Sequence, residues 1–122
     1  MKIGFTCGAF DLLHAGHVVM LKECKENCEY LIAGLQTDPT LDRKEKNKPV
    51  QSMYERYMQL QAIKYVDEII PYDTEDSLVD LLESTPINIS FTGEGLHKTF
   101  YTSRRHSFST TSLRERVQKQ DI

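Results

Sequence analysis

Two histidines three residues apart, His14 and His17, flank the small pair Ala15-Gly16 at the end of the stretch Gly8-Ala9-Phe10-Asp11-Leu12-Leu13-His14-Ala15-Gly16-His17. Each imidazole can donate a hydrogen bond to a phosphate oxygen whether protonated or neutral. The stretch follows an apolar run, residues 3–7, and leads into a helix-like segment over residues 18–28. At such a junction the backbone N–H groups and the helix dipole favour an anion. Gly8 allows a sharp turn and a close backbone approach after the strand, and Gly16 does the same where the helix begins. One helical turn would point both histidines the same way. The plainer alternative is a pair of capping or partly buried histidines; two of them beside a glycine turn point to phosphate chemistry.

Other residues suit the same chemistry. Ser109, Thr110 and Thr111 offer hydroxyls and amides at the start of a last helix, where Ser112-Leu113-Arg114-Glu115 matches a capping box. Arg104, shortly before, can grip phosphate with two parallel hydrogen bonds. The run Arg43-Lys44-Glu45-Lys46-Asn47-Lys48 would be an ordinary solvated loop anywhere else. Here it follows a strand's carboxyl end and can fold over a ligand crevice. Asp11 and Asp38, also at strand ends, are candidates for orienting a histidine or helping to hold Mg²⁺.

These residues need elements to position them. Short apolar runs at residues 3–7, 30–35, 68–71 and 88–92 read as strands, and residues 18–28, 52–65 and 76–84 as amphipathic helices. Gly93-Glu94-Gly95 is expected to turn the fourth strand, and residues 99–102 could make a short edge strand. Strand–helix alternation predicts an α/β fold, a doubly wound parallel sheet with helices on both faces and ligands outside the strands' carboxyl ends. Those ends are Cys7-Gly8, Gln36-Thr37 and Thr92-Gly93.

The chain has 122 residues, enough for one domain spanning 1–122. Its formal charge of -3 argues against a general nucleic-acid binder. No apolar run approaches the roughly 20 residues of a membrane helix and no signal-peptide core is visible, so a cytoplasmic protein without membrane partners is expected. The cysteines number three, Cys7, Cys24 and Cys28, and form no disulfide framework or zinc pattern.

The ten-residue stretch from Gly8 to His17 resembles the HxGH signature of the cytidylyltransferase group of nucleotidyltransferases, in the G-x-F-D-L-L-H-x-G-H context of its glycerol-3-phosphate cytidylyltransferases. Arg104-Arg105-His106-Ser107-Phe108-Ser109-Thr110-Thr111 resembles the group's R-T-x-x-[IV]-S-T-T element. The resemblance implies a Rossmann-like fold, commonly a homodimer. It also implies transfer of CMP from CTP, with Mg²⁺, to a small phosphate monoester such as glycerol 3-phosphate. Relatives that transfer AMP from ATP supply a second reading, and a nucleotide-binding module without catalysis a third.

Residue by residue, the resemblance makes His14, His17, Lys44, Lys46 and Arg104 catalytic. It gives Gly8, Ala9, Phe10, Asp11, Gly16, Arg56, Glu94, Ser109, Thr110 and Thr111 to nucleotide binding, and assigns no protein metal ligand. The lysine loop is one residue longer than in the group, so Lys48 is a substitute for Lys46. Arg56, in Ser52-Met53-Tyr54-Glu55-Arg56, matches an arginine that faces the site, and Glu94 stands where the group carries Asp. The segment between Gly93 and Arg104 is shorter than in the group.

Overall fold

The computed structural model describes residues 1–91 and the backbone of residues 98–100. Strand β1 (Ile3–Gly8) leads to helix α1 (Ala15–Glu26), then β2 (Tyr30–Gln36). A 3₁₀ turn at Pro39–Leu41 and a long loop precede α2 (Met53–Gln61). Then come β3 (Glu68–Tyr72), α3 (Glu75–Ser84), β4 (Ile89–Phe91) and β5 (Lys98–Phe100).

The sheet order is β3-β2-β1-β4-β5. The first four strands are parallel, and β5 closes the edge antiparallel to β4. Successive strands move outward from β1 to β3, and the chain then returns to the other side of β1. The order therefore reverses between β1 and β4, and the carboxyl ends of these two strands flank the crevice such a sheet offers a ligand.

Side-chain alternation along the strands builds two cores. Leu31, Ala33, Leu35, Ile89 and Phe91 pack with Leu21 and Cys24 of α1 and Leu60 of α2. Phe5, Cys7, Ile32 and Tyr72 pack on the opposite face with Leu78 of α3. The sheet is thus covered on both sides, as its apolar runs require.

Element limits differ from the sequence reading where side chains make caps. Helix α1 starts at Ala15 rather than residue 18, because His14 caps it. Helix α2 ends at Gln61, not residue 65. Past it, the N–H of Ile63 bonds the Leu60 carbonyl and that of Val66 bonds Ile63. These turns keep Ile63, Tyr65 and Val66 against the core without helix. Cys24 is buried in α1, while Cys28 lies beyond the helix end, and all three cysteines are free thiols.

Candidate active site

The turn from β1 into α1 is built on two residues with left-handed backbone, Phe10 (φ 49°) and Leu12 (φ 51°). Such conformations cost a non-glycine residue energy and persist only where the surroundings enforce them. The Phe10 ring is buried in the core with its centroid 6.1 Å from that of His17. Leu12 is exposed, but its N–H donates to Gln51 Oε1 at 2.7 Å. Between them Asp11 is turned toward the loop before α2. Its Oδ2 accepts the N–H of Val50 at 2.8 Å and its Oδ1 that of Gln51 at 2.9 Å. Burial opposes the charge, but these two amides and the nearby Arg56 hold the Asp11 carboxyl below its ordinary range. Asp11 therefore fixes a loop rather than a histidine.

His14 and His17 are both caps and candidate ligands. His14, with extended backbone, is the N-cap of α1, and its Nδ1 accepts the N–H of Gly16 at 3.0 Å. His17 Nδ1 in turn accepts the N–H of His14 at 3.1 Å, completing a capping box made of imidazoles. An Nδ1 that accepts an amide proton carries none itself. Each neutral ring therefore bears its proton on Nε2, and neither Nε2–H has a partner among the described residues. The ring centroids lie 4.0 Å apart, so the two donors form one compact pair. His14 is exposed; His17 is 6 % exposed, and burial first, then His14, lowers its pKa. With both Nδ1 atoms taken as acceptors, the pair presents its Nε2 atoms as donors beside a helix N-terminus.

Gly16 has a role beyond a close backbone approach. A Cβ there would meet His14 Cε1 at 2.8 Å and Nδ1 at 3.0 Å. The missing side chain leaves room for His14 to fold back over the Gly16 amide.

Arg56 is occupied differently from what the sequence predicts. It is 3 % exposed. Its Nη1 donates to the carbonyls of Ala9 (3.1 Å) and Gln36 (2.6 Å), its Nη2 to Thr37 (2.7 Å) and its Nε to Gln51 (3.2 Å). The guanidinium thus ties the carboxyl ends of β1 and β2 to each other and to the start of α2. The sequence also places Phe10 among the nucleotide-binding residues, yet its ring is in the core and only its backbone reaches the turn. Gly8 ends β1 beside Leu35, and Ala9 contributes its carbonyl to Arg56.

Lys44 and Lys46 lie in the loop that starts at the carboxyl end of β2 and reaches the β1–α1 turn at Asp11. The loop therefore runs along the same end of the sheet as the histidines. Arg104, Glu94, Ser109, Thr110 and Thr111 lie outside the described residues. Sequence reasoning misses Gln51, whose amide and side chain both serve the β1–α1 turn; nothing in its local pattern marks it.

Among the described residues no three His, Cys, Asp or Glu side chains converge on a metal position. Asp11 is taken up by two amides, and Asp38 Oδ1 by the N–H (2.9 Å) and hydroxyl (2.6 Å) of Thr40. These carboxylates do not form a cage for Mg²⁺.

The model of the cytidylyltransferase-like family matches residues 5–117. The chain belongs to that family. It is 40% identical over 85 residues to the bifunctional protein HldE of Caulobacter vibrioides, covering 69% of this chain and 17% of that one. It is 29% identical over 117 residues to an FAD synthase of Thermococcus sibiricus, covering 96% and 72%. An ethanolamine-phosphate cytidylyltransferase of Arabidopsis thaliana is 39% identical over 70 residues, 57% of this chain and 17% of that one. The chain thus spans about a sixth of the HldE protein's length. The fold is shared with a lipopolysaccharide core biosynthesis protein of Thermoplasma volcanium at a TM-score of 0.70 and 24% identity, over 98% of this chain and 88% of that one. No helix among the described residues is long and apolar enough to cross a membrane.

Proposed function

We propose that the protein is a nucleotidyltransferase that moves CMP from CTP to a small phosphate monoester, with glycerol 3-phosphate the leading acceptor, and releases pyrophosphate. The observation that carries the reading is the His14–His17 pair, two Nε2–H donors side by side at the N-terminus of α1. A phosphate monoester is already ionised near neutral pH, so its oxygen attacks the α-phosphorus without a strong base. The P–O bond to the β-phosphate breaks as the new one forms, and the pyrophosphate leaves with the electron pair. What the protein must supply is alignment and neutralisation of the charge growing on the α-phosphate oxygens. The imidazole pair would donate to those oxygens. Lys44 and Lys46, with Arg104, Ser109 and Thr110, would receive the departing phosphates.

Likeness to an ethanolamine-phosphate cytidylyltransferase favours cytosine as the base. Likeness to an FAD synthase, named for an adenine dinucleotide, favours the second reading, adenylyl transfer from ATP. The two are separated by incubating the protein with MgCl₂, each of the four nucleoside triphosphates and a panel of phosphate monoesters, and measuring pyrophosphate. Release with CTP and one acceptor is expected, and release with ATP alone selects the second reading. Nucleotide binding without release from any pair would sink both and leave a binding module.

A further inference from the structure

The loop that carries Lys44 and Lys46 is fastened at both ends. Its far end hangs from Asp11 through the amides of Val50 and Gln51. Its near end is fastened to the start of α3. There Asp42 Oδ2 accepts the N–H of Glu75, the first residue of α3, at 3.0 Å and the side-chain N–H of Gln36 at 2.9 Å. Arg43 Nη2 lies 3.8 Å from Glu75 Oε1. Thr37, at the loop's root, donates its hydroxyl to Asp73 (2.8 Å) and its N–H to the Tyr72 carbonyl (2.9 Å). The turn that carries the lysines starts from this clamp, because the carbonyl of Arg43 accepts the N–H of Lys46 at 3.1 Å.

The charges are arranged to hold. The Asp42 carboxylate sits against the first amide of α3, where the helix dipole favours an anion. Glu75 adds a second carboxylate, and Arg43 lies between this acidic pair and the basic run that follows. Glu75 is buried, and at 3.8 Å Arg43 Nη2 is an ion-pair neighbour rather than a hydrogen-bond donor to it. The pair's consequence is local: it decides where the loop goes. The loop spans residues 37–52, and its lysines are exposed or half-exposed.

We infer that Asp42, Arg43 and Glu75 are positioning residues that set where Lys44 and Lys46 stand, and so govern how well the site takes the triphosphate of a nucleotide. The inference rests on the proposed role of the two lysines as triphosphate ligands. None of the three need touch substrate; they act through the loop, from the β3–α3 junction.

The test is a double-mutant cycle read in pyrophosphate release, with melting temperatures recorded for every variant. Asp42→Ala should lower kcat/KM for the nucleotide roughly ten- to hundredfold, chiefly through KM, as expected for misplaced binding groups. Asp42→Asn, which keeps an acceptor oxygen, should restore most of it. In a Lys44→Ala/Lys46→Ala background Asp42→Ala should cost nothing further, since groups acting through one another are not additive. An equal loss in both backgrounds overturns the inference. Tryptic cleavage after Lys44 and Lys46 supplies a readout independent of turnover. It should accelerate in Asp42→Ala and in Arg43→Ala at unchanged melting temperature, and unchanged cleavage overturns the inference. If Asp42→Ala does not fold, Asp42→Asn and Arg43→Ala carry the same comparison. If the parent protein releases no pyrophosphate from any nucleotide, the transfer reading fails by itself. Cleavage in the presence of CTP then decides the clamp: CTP protection weakened by Asp42→Ala supports it, and equal or absent protection overturns it.

Discussion

His14 donates its backbone N–H to the ring of His17 at 3.1 Å while its own ring takes the amide of Gly16, so backbone amides at the start of one helix hold both imidazoles in the same tautomer. The groups that would meet the α-phosphate are therefore also the groups that start α1. Cap and donor can be separated by substitution, because the cap uses Nδ1 and the ligand would use Nε2.

His14→Asn makes that separation. Asparagine is a strong N-cap, so the melting temperature should stay within a degree or two of the parent, while pyrophosphate release falls about 10²–10³-fold for the lost donor. His17→Ala should lose a similar factor in rate and also about 1 kcal/mol of stability with the broken box. Paired kinetic and thermal measurements check both; near-normal turnover in folded His14→Asn would remove the imidazole from the mechanism.

Gly16→Ala tests the space left for the His14 ring. The new methyl would lie 2.8 Å from His14 Cε1, so the ring must swing away and surrender its cap. Alanine's helix propensity returns about 1 kcal/mol, which offsets the lost cap. The expected outcome is little change in urea midpoint but a fall in turnover of about tenfold or more. Crystals or NMR of the variant should show His14 in a new rotamer.

Stability should fall in two stages as pH is lowered. His17 is held below its ordinary value of 6.5 by burial and then by His14, so the unfolded chain takes up the proton first. The stability of the neutral box is therefore complete above the ordinary histidine value and is lost as pH falls below it toward the folded value. Asp11, held low against burial by the amides of Val50 and Gln51, contributes stability above the ordinary carboxylate value that is lost as pH falls through its own. Urea midpoints measured from about pH 8 to about pH 3 should show both declines; His17→Asn should flatten the upper one and Asp11→Asn should reduce the lower, to which Asp38 and Glu55, held low by Thr40 and Ser52, also contribute.

Arg56→Met should be the most destabilising of these changes. Carbonyls of Ala9, Gln36, Thr37 and Gln51 would lose their donor in a buried place. A cost of about 3 kcal/mol is expected. Arg56→Lys keeps the charge but cannot span the same carbonyls, and should recover only part of it. Denaturant titration gives both values, and a loss under about 1 kcal/mol for Arg56→Met would show that the tie is dispensable.

The strands are legible in the sequence because buried parallel strands are short apolar runs, and residues 30–35 and 68–71 are such runs, whereas their order around β1 is set by the fold. The start of α1 is not, because histidine is a poor predictor of an N-cap and only its three-dimensional pairing with His17 makes it one. For the same reason Arg56 reads as a ligand from its motif and stands in the structure as a tie between strand ends. Its carbonyl partners belong to backbone, which no residue type announces. Asp42 and Glu75 are 33 residues apart, and nothing short of the fold brings them together.

The imidazole cap has a thermal consequence. First turns of helices open by local fluctuation at a far smaller free energy than the whole domain does. Each opening of α1 at His14 disassembles the donor pair while the sheet remains intact. Activity should therefore decline with heating ahead of the cooperative melting of the sheet, which makes the helix end, rather than the core, the temperature limit of the site.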